Sequence, residues 1–266
     1  MELIEHHNSL PMEKPHPFVP KAFVSDPIAS TLRSASIEFA RRAVKLSNAS
    51  SWDKLSEFTS QHKIENRRII EQTIGAIIVG VAGVEGMVNE ILAGSADGFS
   101  QRDSMRNVDK KAYARWARLW NEGAFNRGVN ALEKCQLALA AADLPPLHSD
   151  RKPMEDMKAL IALRNELVHS EPKFRPHGSD LPQRERDSLE RKLTGKFKLN
   201  ELVPKHEPFI WQRCLGTGCA KWSVETVSAF ENEFFSALGI AIHSEILWED
   251  TERDVSSHET QGQVLQ

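Results

Sequence analysis

The sequence predicts an all-α protein, a helical bundle with a long basic loop insertion, and three observations carry that prediction. Apolar residues recur at three- and four-residue steps through Ile70, Ile74, Ile77, Ile78, Val81, Val84, Val88, Ile91 and Leu92, the period of a helix with a buried face. Strand-like alternation is absent except for a candidate stretch at residues 196–212. Prolines gather before residue 28, at Pro145-Pro146 and from Pro172 to Pro208, so the segments between them are free to form uninterrupted helices.

Residues 1–29 read as an extended arm, because Pro11, Pro15, Pro17, Pro20 and Pro27 deny regular structure. A helical domain is expected over 30–244. Its first helix runs from Ser30 to Leu46, with Leu32, Ile37, Phe39, Ala40 and Val44 turned inward. Ser50 and Ser51 before Trp52 look like a capped restart. The central core helix follows from Ile64 to Ala93. Glu85 falls inside its apolar stripe and Asn89 on the margin. Gly75, Gly80, Gly83 and Gly86 weaken this helix intrinsically but let another helix approach closely. Its apolar run, Ile74 to Val84, is 11 residues, short of the roughly 20 a membrane span needs, so a buried helix and no membrane association are expected.

Gly94 to Gly98 closes the central helix, and 109–143 holds one or two more helices before the Pro145-Pro146 break. Tyr113, Trp116, Ala117 and Trp120 make an apolar patch, with Lys111, Arg115 and Arg118 on a neighbouring ridge. Arg102 to Arg127 carries seven basic and three acidic residues, which reads first as a solvated helix face. The insertion at 172–210 is also basic, with eight basic and four acidic residues from Lys173 to Lys198, and a short helix is plausible over Arg184 to Leu193. Gly216-Thr217-Gly218 starts a last amphipathic helix through Trp222, Val227, Phe230, Phe234, Leu238 and Ala241. From residue 245 to 266 six acids face one Arg, the composition of a disordered tail.

Whole-chain electrostatics is uninformative at a formal net charge of −3. Cys135, Cys214 and Cys219 are odd in number and match no common disulfide or zinc spacing, and the N-terminus lacks a basic start followed by an apolar run. A reducing cytoplasm is the expected compartment. The ten histidines form no pair at metal-ligand spacing supported by Cys or carboxylates, so neither metal nor cofactor is expected. No nucleophile elbow, Walker motif or kinase set is present. Trp211 and Trp222 have the chemistry to stack on bases, and core packing is the commoner use of such side chains.

The chemistry concentrates in Leu160 to His169, on a helix that Pro153 starts and that ends near Ser170, ahead of Pro172. At about 100° per residue, Met157, Leu160, Ile161, Leu163, Leu167 and Val168 make an apolar stripe with Arg164 in its middle. Asn165 and His169, four apart, share one margin. A cation, an amide and an imidazole around one volume suit a phosphate-handling site. The alternative is structural: Glu85 and Arg164 as a buried ion pair joining two helices.

The string Arg164-Asn165-Glu166-Leu167-Val168-His169 resembles the signature of the HEPN superfamily (higher eukaryotes and prokaryotes nucleotide-binding domains), an Arg, a polar residue and then a His. The likeness covers the motif and, loosely, residues 64–235. It implies a helical bundle that pairs as a homodimer, and a metal-independent ribonuclease of toxin–antitoxin or antiphage systems. RNA would be the partner, alongside an antitoxin or regulatory protein. It further implies Arg164, Asn165 and His169 as the catalytic set in a cleft built from both protomers; Glu85 and Asn89, which repeat the charge-and-amide pattern on the central helix, are candidate auxiliary residues. Some members of the superfamily have lost catalysis and bind a protein or nucleotide instead.

Overall fold

The computed structural model describes residues 28–49, 60–96, 108–124, 128–169, 188–205 and 207–240. The expected N-terminal arm, the restart at Ser50, the first part of the insertion and the acidic tail lie outside these. The described chain is all-α: α1 (Ile28–Ala49), α2 (Ser60–Ala96), α3 (Lys110–Asn121), α4 (Ala131–Ala141), α5 (Met154–Val168), α6 (Ser188–Leu193), a π-helical turn (Phe209–Arg213) and α7 (Thr217–Ala237).

The spine is α2. Its glycines face α1 in reverse order, Gly75 on Phe39, Gly80 on Ser36, Gly83 on Leu32 and Arg33, and Gly86 on Ala29, so the two helices are antiparallel. An added Cβ at Gly75 would lie 2.9 Å from the Phe39 ring, and one at Gly80 would lie 2.9 Å from Ser36 Oγ. The small residues expected to admit a neighbouring helix therefore do so. Ser36 uses the closeness to donate to the Ala76 carbonyl at 2.8 Å. The inner face of α1 is Ser36, Ala40, Ala43 and Val44. Ala220 and Val224 of α7 close this layer over Ala40, Ala43, Ile69 and Ala76.

The larger core forms around the second half of α2. Val84, Val88 and Leu92 meet Trp116 of α3, Cys135 and Leu139 of α4, Met157, Leu160 and Leu163 of α5, and Phe230 and Phe234 of α7. Local signals hold the outer helices in place. Asp109 caps α3 by accepting from the Lys111 amide, and Asn130 and Glu133 form a reciprocal capping box on α4. Trp116 satisfies its indole N–H on the Ala138 carbonyl at 2.8 Å. On length and composition α2 is apolar enough to cross a membrane; in this fold other helices pack around it, and 56% of its most apolar window is buried.

Two expectations change. The stretch 196–212 is not a strand: its apolar residues Phe197, Leu199, Phe209 and Ile210 pack on the core from turns and a π-helical turn. A lone strand would have no neighbour to take its N–H and C=O groups, whereas turns satisfy them internally. The insertion is also not a projecting loop from residue 188 onward. Leu189 and Leu193 of α6 are buried in the main core, against α5.

Candidate functional site

Helix α5 follows from its own apolar periodicity. Met154, Met157, Leu160 and Leu163 recur at three-residue steps and are at most 1% exposed. Glu155 and Asp156 sit in the first turn, where carboxylates oppose the positive end of the helix dipole. Lys196 folds back onto both, 3.1 Å from Glu155 Oε1 and hydrogen-bonded to Asp156, and these two acids raise its pKa against the opposing effect of burial.

Beyond Leu163 the helix leaves the core. Arg164 is half-buried, Asn165 exposed, Leu167 half-buried and Val168 47% exposed. His169 is the exposed C-cap; its amide donates to the Asn165 carbonyl at 2.8 Å, and its backbone (φ −116°, ψ 37°) no longer continues the helix. Arg164 and His169, five residues apart, lie about 140° apart around the axis and roughly 7.5 Å apart along it. They share the end of a helix without facing one volume of the same chain. Carbonyls crowd that end and make it electronegative, so a phosphate there would depend on the guanidinium and gain nothing from the helix dipole.

Arg164 does not pair with Glu85, so the buried ion pair of the alternative reading is absent. The Glu85 carboxylate faces Lys134 of α4 at 3.7 Å with its side chain 46% exposed, while Asn89 Oδ1 accepts from Lys134 Nζ at 3.0 Å. The physical reason is the burial of Lys134, 7% exposed in the α2–α4 contact: its ammonium needs compensation, and the margin of α2 supplies it. Glu85 and Asn89 are thus a structural clasp on α4. Among the described residues Arg164 has no ion pair. The Arg115 and Arg118 ridge is occupied too, Arg115 by Asp143 and the Ala141 carbonyl and Arg118 by Glu122.

Two further polar centres join the helices. Arg33 of α1 reaches α7, 3.3 Å from Glu231 Oε2 and 3.2 Å from Ser228 Oγ. Burial pushes the Glu231 carboxyl from 4.5 up to about 6, with Arg33 holding it lower than burial alone would. Asn200 is the second: its side-chain amide donates to Asn66 Oδ1 at 2.9 Å and to the Leu215 carbonyl at 3.0 Å, and its Oδ1 accepts from the Leu202 amide. Neither left a sequence signal, because each depends on which helices meet.

The three cysteines are free and buried. Burial raises the thiols of Cys135 and Cys214 to about 12 and that of Cys219 well above its ordinary value, so none is a ready nucleophile. Among the described residues no group of three or more His, Cys, Asp or Glu gathers around a metal-sized space. A groove of about 600 Å³ opens between α4 and the start of α5, lined by Val129, Leu132, Leu137 and Met154. Its polar rim is already engaged: Asn130 and Glu133 cap α4, Gln136 bonds both backbone groups of Leu147, and Lys158 donates to the Ser149 carbonyl. It sits at the opposite end of α5 from His169, about 22 Å away along the axis. Comparison of the chain with the models of known families, with characterised proteins and with solved structures finds no match.

Proposed function

We propose that the chain is an endoribonuclease of HEPN type that cleaves RNA without a metal, working as a homodimer. One observation carries the reading: Glu85 is taken by Lys134, leaving Arg164 without an ion pair among the described residues, at the exposed end of α5 that also presents His169. A half-buried guanidinium released from structural duty suits a phosphate, to which its fork of N–H donors is complementary.

In this reading the RNA supplies its own nucleophile. The 2′-hydroxyl attacks the adjacent phosphorus, the bond to the 5′-oxygen breaks, and the products carry a 2′,3′-cyclic phosphate and a 5′-hydroxyl. Imidazole, whose ordinary pKa lies near neutrality, takes the proton from the 2′-hydroxyl and returns one to the leaving oxygen. Two copies of His169 across a two-fold axis divide those tasks. Arg164 bears the charge that builds on the phosphorane-like transition state, and Asn165 orients the phosphate or the imidazole. The angle between Arg164 and His169 on one helix favours a cleft completed by a second copy. In this reading Glu85 and Asn89 hold Lys134 and are given no part in the reaction. The biological setting that goes with this chemistry is a conditional effector in toxin–antitoxin or antiphage defence, held in check by an antitoxin or regulatory protein.

The test is cleavage of single-stranded RNA by the purified wild type and by Arg164→Ala and His169→Ala. The wild type is expected to cut with EDTA present and to leave cyclic-phosphate ends, and each variant to lose cleavage while melting at the wild-type temperature. Cleavage that persists in both variants would overturn the reading. A second reading, a non-catalytic helical module for a protein or nucleotide partner, draws support from the apolar groove between α4 and α5, far from Arg164. Wild-type protein inert toward RNA would favour it.

A further inference from the structure

Two tryptophans with the same stacking chemistry occupy different environments. Trp222 is 7% exposed and packs on Phe197 with ring centroids 5.1 Å apart. Trp211 is 39% exposed on the π-helical turn, although its neighbours Phe209 and Ile210 are each 7% exposed and root the turn in the core. The turn carrying it is tied down at its end: the Asn200 amide donates to the Arg213 carbonyl at 2.7 Å, and the Asn200 side chain fixes that junction to Asn66 of α2 and to Leu215. The indole is therefore displayed on a turn anchored in the core and hydrogen-bonded at its end, an arrangement that lowers the ordering cost of binding.

The surroundings are basic. Residues 188–213 carry six basic and three acidic side chains; the acid Glu190 is buried and the base Lys196 is held by Glu155 and Asp156, which leaves five cations and two acids. Lys205 is exposed ahead of the turn, and Lys198 is exposed with Glu201 at 2.9 Å. Arg213 lies with its guanidinium 5.9 Å from the Phe209 ring centroid. Next to the turn is α6, whose Glu190 acts electrostatically on Cys214, and which exposes Arg191 and Lys192. Exposed lysines are depleted in protein–protein interfaces, whereas an aromatic face among lysines and arginines is how proteins hold single-stranded nucleic acid: bases stack and cations track the backbone.

We propose that the π-helical turn Phe209–Arg213 is a substrate-gripping surface on which a base of single-stranded RNA stacks against Trp211, with Lys205 and the α6 cations on the phosphates. The choice of RNA as ligand rests on the endoribonuclease reading; the stacking surface rests on its own geometry. The test is binding of a fluorescent 2′-fluoro oligouridylate, which lacks the attacking hydroxyl, followed by anisotropy at two salt concentrations. Wild-type protein is expected to bind with salt-sensitive affinity. Trp211→Ala is expected to weaken binding about tenfold with an unchanged melting temperature, Trp211→Phe to retain most of the affinity, and Lys205→Glu to weaken it further at low salt than at high salt. Equal binding by wild type and Trp211→Ala, or no binding by wild type, overturns the proposal. Cleavage of natural RNA by a wild type whose affinity ignores Trp211 would refute the stacking surface alone. Trp211-dependent binding by a protein that never cleaves would refute the nuclease alone.

Discussion

Glu231 gives the sharpest stability experiment. It is 5% exposed on α7, with Arg33 of α1 as its counter-ion, Ser228 sharing that guanidinium, and Cys135 of α4 close enough to be affected by its charge. The net direction of its pKa is upward, from 4.5 to about 6, so burial opposes the charged form more than Arg33 favours it. A carboxyl raised in the folded state contributes stability that is fully present below pH 4.5 and is lost as pH rises through about 6. A rise from 4.5 to about 6 corresponds to roughly 2 kcal/mol. In a chain of this size that is a shift of about 4–8 °C in melting temperature. Glu231→Gln keeps the shape and removes the titration. Thermal and urea unfolding of both proteins at pH 4.5, 5.5, 6.5 and 7.5 is expected to show the variant gaining on wild type by about 2 kcal/mol across that range. Parallel curves, or a variant that loses ground as pH rises, would refute the reasoning, the latter by showing that the Arg33 pair outweighs desolvation.

Two further outcomes follow from packing. A Cβ at Gly218 would lie 2.2 Å from the Lys198 carbonyl oxygen, so Gly218→Ala is expected to destabilise by about 3 kcal/mol, read as a lower urea midpoint; an unchanged midpoint would show that the 198–200 segment yields freely. The buried, proton-holding thiols of Cys135, Cys214 and Cys219 are expected to ignore a disulfide-exchange reagent in native buffer and to react stoichiometrically in denaturant. Rapid native labelling of any of them would contradict the burial described.

The helices are legible in the sequence because their burial is periodic. The spacing from Ile70 to Leu92 yields the core helix within a few residues of its observed bounds, Ser60–Ala96, and the four glycines foretell a close neighbour. Partnership is what the sequence leaves open. Glu85 has an apolar stripe around it and an Arg164 elsewhere to pair with, and only the fold brings Lys134 to the same margin instead. Lys134 lies in an 11-residue helix with apolar residues on most sides, so no face marks it as inward. The 196–212 stretch misleads for a related reason: its apolar residues are core anchors for turns, and alternation alone does not distinguish anchors from a strand. Arg164 and His169 stand out by residue type and spacing alone, whereas Trp211 is set apart from Trp222 only by its exposure.

Asn200 also ties the display of Trp211 to the docking of distant helices. Its side-chain amide meets Asn66 of α2, 134 residues earlier in the chain, and the Leu215 carbonyl just ahead of α7. Closing a contact across so much sequence carries a loop-entropy cost that a local turn avoids. The junction beneath the indole therefore depends on α2 and α7 being held together: a change that separates them removes both acceptors of the Asn200 amide at once.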